Sequence, residues 1–339
     1  MRNSKVLISQ ALKTIQGNIE RTGDPLGLKV PYWTKWADNL NLSDHGSPLL
    51  FTARMYQMLP YVVQTTEMAA KAQPLVPMLS VKLFSKMAEY AGALAGDPII
   101  RLGARREGEI RKRTESALFG IVAALRKAGI DPAYLFDKEP YSGVLLYDLG
   151  MEEAVAPIAR EVYRTLQSTG SRTVLTVDPH TTFMLRQVYP RYMGEFNLAV
   201  RHYLEVLADA ESIFPKARPD GVPEKIVLHD SCVMTRDLGI VEPIRTILSR
   251  IGCQVAEPEN CGINTGCCGG PVEYAYADLS RSISCMRARE LAANGSDILV
   301  ACPICLINLM KHEKELGIRV WDMGEILGKC FPLSSRSVQ

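Results

Sequence analysis

The sequence predicts an α/β fold made of two copies of one unit, each with a mainly parallel sheet. From residue 144 onward, short apolar strands alternate with helices of ten or more residues, a pattern typical of parallel sheets. Two parts of the chain also share local similarities in the same order. The 339 residues, with 47% hydrophobic content, are sufficient for two ordinary domains that each bury a core.

Residues 1–45 are predicted to form a helix and a tryptophan-containing linker. Helical spacing of apolar residues over 5–22 stops at a glycine, and a segment rich in Gly and Pro follows. Trp33 and Trp36 in this segment are predicted to anchor it against a core or a partner.

Residues 46–213 are predicted to form the first α/β unit. Its predicted elements are a strand at 48–52, a helical insert at about 60–126, a helix at 152–169, a strand at 172–177 and a helix that continues to about 209. A linker marked by Pro and Gly separates this unit from the next.

Residues 224–330 are predicted to form the second unit, which contains all nine cysteines of the chain. Its predicted elements are a strand at 225–229, a helix at 241–251, a strand at 253–256, a cysteine loop at 261–271, a helix at 273–294 and a strand at 297–301.

The two units are predicted to be copies of one another. Three anchors occur in the same order, namely residues 50–55 with 228–233, residues 139–143 with 266–269, and residues 175–181 with 299–305. In this interpretation the first copy has lost its cysteines and gained a helical insert. Chance similarity between short strands is the alternative.

Five of the cysteines have the pattern of a metal site, with the spacing C-x34-C-C-x33-C-x2-C. Each segment of the pattern is predicted to lie at the carboxyl end of a strand or where a loop meets a helix. In an open α/β sheet these ends gather at one edge, where ligands bind. The five are Cys232, Cys267, Cys268, Cys302 and Cys305.

The residue types favour an iron–sulfur cluster over a single zinc ion. Structural zinc takes four ligands, usually from two close pairs of cysteines, and only Cys302 and Cys305 have that spacing. The adjacent Cys267 and Cys268 form an awkward chelate for one ion but suit a cluster in which neighbouring thiolates reach different irons. Zn²⁺ remains the alternative metal.

The pattern resembles the cysteine-rich CCG domain of heterodisulfide reductase subunits B and D. That domain also occurs in the iron–sulfur subunits of glycolate oxidase, anaerobic glycerol-3-phosphate dehydrogenase and lactate-utilisation systems. The CCG tripeptide at 267–269 and the CPxC sequence at 302–305 carry the resemblance. It implies that the five cysteines hold one non-cubane [4Fe-4S] cluster used for disulfide or thiol reduction, or for electron transfer.

The resemblance further implies an oxidoreductase acting on sulfur groups that is active only within a complex. Ferredoxin-like iron–sulfur subunits and flavin-containing subunits are the implied partners, and a disulfide or thiol is the implied substrate. Two alternatives remain open: an electron-transfer subunit of a flavin-dependent hydroxy-acid dehydrogenase, and a structural subunit that binds zinc.

Three further residues near the cysteines are candidates for the site. His229, three residues before Cys232, is a candidate proton donor to a leaving thiolate, although a strand histidine bonded to backbone is the simpler interpretation. Cys261 and Gly269 are candidates for contacts immediately around a cluster.

The first unit departs from the family pattern at each matching position. Ala53 and Arg54 replace the first cysteine, residues 141–143 replace the CCG tripeptide, and Asp178-Pro179-His180-Thr181 replaces the CPxC sequence. Arg54, Asp178 and His180 are therefore candidates to bind a substrate, an ion or another subunit. The alternative is that they fill the emptied space with hydrogen bonds.

Charge and hydropathy exclude two classes of partner. The net charge of +2 gives no basic excess for nucleic acid. No apolar run is long enough to span a membrane, and no secretory signal is recognised at the start of the chain. The expected location is the cytoplasm, with reduced thiols, either free or within a membrane-associated complex.

Overall fold

The computed structural model describes residue 13 and residues 15–27, 31–72, 108–274 and 276–332. Two four-stranded sheets form its framework, and all strand pairs in both are parallel. The first sheet contains β1 (Leu49–Phe51), β2 (Ala133–Tyr134), β3 (Thr173–Thr176) and β4 (Ala199–His202) in the order β2-β1-β3-β4. The second contains β5 (Lys225–Leu228), β6 (Gln254–Ala256), β7 (Asp297–Val300) and β8 (Arg319–Asp322) in the order β6-β5-β7-β8.

Helices connect these strands, as parallel pairing requires. The first repeat contains α1 (Pro31–Thr34), α2 (Met55–Ala72), α3 (Gly108–Lys127), α4 (Val144–Asp148), α5 (Glu152–Ser168), α6 (Pro179–Phe183) and α7 (Tyr203–Asp209). The second contains α8 (Glu242–Ile251), α9 (Ala277–Ala292), α10 (Pro303–Met310), α11 (Glu313–Leu316) and α12 (Met323–Cys330).

The identical strand orders confirm the predicted α/β class and the internal repeat. Local details repeat as well. His202, the last residue of β4, caps α7 in a capping box with Glu205, and Asp322, the last residue of β8, caps α12 in a capping box with Glu325. The domain boundaries at 46–213 and 224–330 remain predictions, although the strands of each sheet fall within one of these ranges.

One predicted element is wrong, and three strands were not predicted. The helix expected to run from the end of β3 to about residue 209 ends at Phe183 and is followed by a π-helical turn, a 3-10 turn and β4. Pro190 and Gly194 interrupt the helical pattern there. The strands β2, β4 and β8 contain only two to four residues each, too few for their alternation to stand out.

Two predictions fall partly or wholly outside the described residues. Residues 15–22 of the predicted N-terminal helix are helical, and the rest of that helix is not fully described. In the insert predicted at about 60–126, the described parts are helical, in α2 and α3, while residues 73–107 lie outside the described ranges.

Alternate residues of the strands enter two hydrophobic cores. Leu49 and Phe51 of β1 pack into one core and Leu50 packs into the other, and in β7 Ile298 and Leu299 divide in the same way. Each core contains side chains from both sheets, so the two repeats are held together by shared burial.

The last helix of each repeat packs against the other repeat. The helix α12 lies on α3, and α7 lies on α8, so the two contacts are related by the repeat. Arg113 of α3 donates to Glu325 of α12 at 2.8 and 2.9 Å, and Arg250 of α8 donates to the carbonyl of Ala208 in α7 at 2.6 Å. Each repeat therefore packs its last helix against a helix of the other repeat.

The strand order places a ligand site between β5 and β7. The strand that follows β5 lies on one side of this pair, and the strand that follows β7 lies on the other side. Such a reversal of strand order places a crevice at the carboxyl ends of the two strands. The equivalent crevice in the first repeat lies between β1 and β3. Within the described residues, no helix is long and apolar enough to cross a membrane.

Candidate metal centre

Three separate segments bring five thiols to the crevice of the second sheet. Cys232 lies four residues after β5, immediately before a π-helical turn. Cys302 is the N-cap of α10 after β7, and Cys305 lies in the first turn of that helix. The loop that follows β6 supplies Cys267 and Cys268.

The five thiols interact with one another and form one network. Cys267 contacts both Cys232 and Cys268, Cys268 contacts Cys305, and Cys305 contacts Cys302. Cysteine side chains from positions more than 70 residues apart in the chain therefore converge in the folded protein. The predicted five-cysteine set is brought together, and its role in binding metal remains a prediction.

The network has a buried side and an open side. Cys268, Cys302 and Cys305 are buried, whereas Cys232 and Cys267 are partly exposed. Within the described residues, a group held by these thiols would be open to other molecules beside Cys232 and Cys267 and enclosed beside the other three.

Two of the thiols, Cys267 and Cys302, have lowered pKa values in the absence of metal. Hydrogen bonds from Cys232 and Cys268 lower the pKa of Cys267 to about 2. Burial raises the pKa of Cys302, but hydrogen bonds with Cys305 and His180 outweigh burial and hold this pKa well below its usual value. Thiolates are the form of cysteine that binds metal.

The loop that carries Cys267 and Cys268 depends on two glycines for its close approach to helices. Gly269 has φ +90°, and its N–H donates to Cys267 Sγ at 3.3 Å. A Cβ at Gly269 would lie 2.5 Å from the carbonyl oxygen of Ser280, and a Cβ at Gly270 would lie 2.2 Å from Ile304. Gly269 thus lies beside the thiols, and its predicted contact with a cluster remains a prediction.

His229 lies among the thiols, and Arg287 fixes its tautomer. One ring nitrogen of His229 and the Sγ atoms of Cys268 and Cys305 lie within 4.8 Å of one another. Arg287 Nε donates to His229 Nδ1 at 3.1 Å, so the neutral ring carries its proton on Nε2. This Nε2 is buried and has no hydrogen-bond partner among the described residues. Burial, aided by the charge of Arg287, lowers the pKa of His229 to about 3, so the ring is neutral at pH 7.

Sequence reasoning missed Arg287, which is almost fully buried. Its other contacts are a hydrogen bond to Thr265 Oγ1 at 3.2 Å and an ion pair with Glu290 at 2.8 Å. The sequence pattern that could have indicated Arg287 is a polar stripe on one face of α9, where Ser280, Ser284 and Arg287 occur at helical spacing. In the structure all three are buried.

Cys261 lies next to an acidic cluster rather than within the thiol network. Burial and the charge of Glu257 raise the pKa of the Cys261 thiol. The backbone N–H of the following residue, Gly262, donates to Asp230, which Arg245 holds in an ion pair at 2.7 Å. The predicted role of Cys261 beside a cluster remains a prediction.

The matching crevice of the first repeat contains oxygen-bearing side chains where the second has cysteines. Asp178 is the N-cap of α6 as Cys302 is of α10, and Thr181 corresponds to Cys305. Ser142 precedes Gly143, a glycine with φ +74°, as Cys268 precedes Gly269. Asp178 Oδ2, Ser142 Oγ and Thr181 Oγ1 are all buried, and none has a hydrogen-bond partner in the part of the chain that the structure describes.

Arg54 occupies this emptied crevice. Its guanidinium is buried, donates to the carbonyl of Glu139 and lies 3.8 Å from Asp24. Its backbone has φ +63°, and Ala53 before it has φ +45°. Two consecutive left-handed residues other than glycine are costly, so the chain is held in this turn by its surroundings.

The carboxyl group of Glu139 closes the same crevice. Thr52 N and Ala53 N donate to its Oε1 at 2.6 and 3.2 Å, while Thr52 Oγ1 and Tyr134 Oη donate to its Oε2 at 2.8 and 2.9 Å. Burial nevertheless raises the pKa of Glu139 to about 7.

The substitution Glu139→Gln is expected to reduce the loss of stability that accompanies a rise in pH. A carboxyl whose pKa is raised from 4.5 to about 7 by folding costs stability progressively as the pH rises through that interval. The neutral glutamine lacks this pH dependence, but its amide nitrogen cannot accept the hydrogen bonds that Thr52 and Tyr134 donate to Oε2. The variant should therefore be less stable than the unmodified protein near pH 5, and this deficit should shrink by roughly 1–3 kcal/mol at pH 8. Urea unfolding at both pH values measures this, and an equal difference at both would contradict it.

His180 extends from the first repeat to the thiols of the second. Burial lowers its pKa, but hydrogen bonds with Asp148 and Cys302 outweigh burial and leave the pKa raised well above its usual value. Of the three candidate residues in this crevice, Asp178 and His180 are thus close to the thiol network. Burial raises the pKa of Asp178 to about 6, and the nearby Cys302 contributes to this increase.

Together, the repeated parallel sheets and the converging thiols define an α/β protein with a cysteine-rich candidate metal centre. Residues 226–310 match the family model of the CCG cysteine-rich domain.

Three curated relatives extend the similarity beyond the matched domain. The chain is 29% identical to the probable iron-sulfur-binding oxidoreductase FadF of Bacillus subtilis, over 66% of this chain and 32% of that protein. It is 30% identical to the EtfAB:quinone oxidoreductase of Syntrophomonas wolfei, over 65% and 32%. It is 26% identical to a dihydromethanophenazine:CoB–CoM heterodisulfide reductase subunit of Methanosarcina mazei, over 64% and 56%. The match thus spans a third to a little over half of these relatives' lengths.

Proposed function

We propose that the chain is an iron–sulfur redox subunit of a heterodisulfide-reductase-like complex. In this proposal one non-cubane [4Fe-4S] cluster is held by the five cysteines of the thiol network. The observation that carries the proposal is the convergence of five thiols from three chain segments at the crevice between β5 and β7. When bound, such a cluster accepts and releases single electrons and offers iron to a substrate thiolate.

The surroundings of the thiols fit a cluster better than a zinc ion. Five sulfur donors exceed the four that zinc takes. His229 could complete a zinc site only through Nε2, yet Arg287 already donates to Nδ1 and leaves the proton on Nε2. A buried N–H without a protein partner suits a sulfur acceptor, such as a cluster sulfide, which zinc would not supply.

The buried cysteines, the partly exposed cysteines and His229 would have different roles at the cluster. The buried Cys268, Cys302 and Cys305 would hold the cluster away from water, which protects a reduced centre. The partly exposed Cys232 and Cys267 would mark the edge at which a disulfide, a thiol or a redox partner approaches. His229 would hydrogen-bond the cluster through Nε2–H rather than act as an imidazolium acid, because its ring is neutral at pH 7.

The partners in this proposal are ferredoxin-like and flavin-containing subunits. The similarity to a protein named as one subunit of a heterodisulfide reductase supports function within a complex. The similarity to a protein named EtfAB:quinone oxidoreductase favours a second candidate function, in which the chain relays electrons for a flavin-dependent dehydrogenase without acting on a disulfide.

Metal analysis of protein isolated without oxygen tests the cluster. We expect about four irons and a matching amount of acid-labile sulfide per chain, with brown absorption. Stoichiometric zinc in colourless protein would contradict the proposal and favour a structural zinc subunit.

Electron paramagnetic resonance distinguishes the two redox functions. A spectrum that changes when a thiol substrate is added would support disulfide chemistry at the open edge. A spectrum indifferent to thiols, in protein whose cluster is reduced by a flavoprotein, would support electron relay and remove the disulfide reaction from the proposal.

A further inference from the structure

We propose that an exposed apolar patch on the second repeat is the docking surface for the redox subunit that exchanges electrons with the metal centre. The patch consists of the five most exposed large apolar side chains among the described residues, which are 37 to 72% exposed. They are Ile263, Val272, Tyr276, Leu279 and Met286. The inference rests on the proposed function, because it names the surface through which the partner in that function binds.

The apolar patch lies next to both partly exposed thiols. In the chain, Ile263 precedes Cys267, and Val272 follows it at the start of a 3-10 turn that leads to α9. Arg236, in the turn that follows Cys232, donates through Nε to the carbonyl of Ile263 at 3.0 Å. The patch is thus attached to both segments that form the open edge of the thiol network.

The rest of the apolar patch lies on α9, which contacts the same cysteine loop. Gly269 approaches this helix so closely that a Cβ there would lie 2.5 Å from the carbonyl oxygen of Ser280. Leu279 is the neighbour of Ser280, and Met286 lies further along the helix. Ile283 between them is partly exposed, so Leu279, Ile283 and Met286 form one stripe at helical spacing.

The helix α9 exposes apolar residues and buries polar ones. In the first part of the helix the buried residues are Ser280, Ser284 and Arg287, whereas Leu279 and Met286 are exposed. A helix at the surface of a globular protein normally has the opposite distribution. Exposed apolar side chains that are grouped in this way mark an interaction surface.

The corresponding helix of the first repeat, α5, has the ordinary distribution. The helix α5 precedes β3 as α9 precedes β7. Its buried residues are all apolar or aromatic, namely Val155, Ala159, Val162, Tyr163 and Leu166. Its exposed residues include Glu153, Arg160, Glu161, Arg164 and Gln167. The reversed pattern is therefore not a requirement of the fold, and it occurs in the repeat that contains the thiols.

The extent of the apolar patch indicates a macromolecule as its occupant. The stripe from Leu279 to Met286 alone extends about 10 Å along the helix. Ile263 and Val272 lie on the separate cysteine loop. A small thiol or disulfide would not cover both the stripe and the loop, whereas a protein that covers the open edge would contact both.

The charges around the apolar patch favour a protein with an apolar docking face. Between residues 263 and 286 the exposed charged side chains are Asp278 and Arg281, one of each sign. This balance provides neither attraction for a strongly acidic partner nor the basic residues that bind an anionic membrane surface. A second copy bound through the same patch would cover both open edges and exclude an electron donor. The occupant is therefore a different, redox-active subunit.

Isolation of the complex from the native host, without oxygen and through an affinity tag on the full chain, tests the inference. The substitutions Leu279→Glu and Met286→Glu each place a charge on the apolar patch. The control, Gln167→Glu, adds the same charge to the exposed face of α5. The measurements are the iron content of the chain, the amount and absorption spectrum of the co-isolated subunit, and the rate at which this subunit reduces the metal centre.

We expect the unmodified chain and Gln167→Glu to retain a subunit that carries flavin or an iron–sulfur cluster. They should retain it even at about 1 M salt, where charges more than about 3 Å apart are screened. Leu279→Glu and Met286→Glu should each retain roughly tenfold less of it, because an unpaired charge would be buried at the interface.

The iron content of both patch variants and their reduction by dithionite should be unchanged. Both side chains are more than half exposed, so neither substitution should affect folding. Either variant decides the matter if the other fails to fold.

Equal retention of the redox subunit by the patch variants and by Gln167→Glu, in protein that contains iron, would overturn the inference and leave the proposed function intact. Isolation of the unmodified, iron-containing chain without such a subunit would also overturn it. A dimer of this chain that the patch substitutions dissociate would have the same consequence, as would binding to phosphatidylglycerol vesicles that the substitutions abolish. Absence of iron from the unmodified protein would overturn the proposed function and the inference together.

Discussion

Replacement of Cys302 with alanine is expected to lower the iron content of anaerobically purified protein by roughly tenfold or more. Cys302 is fully buried and interacts with both Cys305 and His180, so the substitution removes a sulfur donor from the buried side of the thiol network. Iron and sulfide assays, together with the visible spectrum, measure the loss.

The matched control for this variant is Cys253→Ala. Cys253 is another buried cysteine of the second repeat, packed in the second hydrophobic core rather than among the five thiols. Its removal deletes the same sulfur atom at a cost in stability of about 1 kcal/mol and should leave the iron content unchanged. Equal iron contents in the two variants would show that Cys302 is not a ligand.

The substitution Gly120→Ala is expected to destabilise the protein by about 3 kcal/mol or more. A Cβ at Gly120 of α3 would lie 1.9 Å from the carbonyl oxygen of Gly324 and 2.5 Å from the backbone nitrogen of Gly328, both in α12. These are backbone atoms that no side-chain rotation can move away. The two helices would have to move apart, which would weaken one of the contacts between the repeats.

Urea unfolding of Gly120→Ala and of Gly108→Ala provides the comparison. Gly108 begins the same helix, and a Cβ there would meet no atom within 4 Å. Gly108→Ala should therefore be neutral or stabilising by a few tenths to about 1 kcal/mol. Similar unfolding midpoints for the two variants would show that the close packing of α3 on α12 contributes little to stability.

The convergence of the five cysteines could be predicted from the sequence because parallel sheets follow simple rules. Cys232 and Cys302 each come a few residues after an apolar strand, and strand ends of one parallel sheet meet at one edge. Spacing was therefore enough to group the five cysteines, while their role as metal ligands stays a prediction.

The contacts that depend on packing between repeats were not predictable in this way. His180 appeared from sequence as part of an emptied site, and only the packing of α6 on the second repeat reveals its contact with Cys302. Arg287 reaches His229 from a helix 58 residues further along the chain. No local pattern in the sequence encodes which helix of one repeat lies against the other. The packing of α7 and α12 on the opposite repeat could therefore not be predicted either.

The one-sided exposure of the thiols has a consequence for the route of electrons. Every cysteine of this chain lies at or after Cys232, and only Cys232 and Cys267 among the five converging thiols give access from outside. With the proposed cluster in place, a disulfide or thiol that must touch the cluster and a redox partner that docks over Cys232 and Cys267 would use the same surface. They would therefore compete for it, and an excess of either should slow turnover with the other.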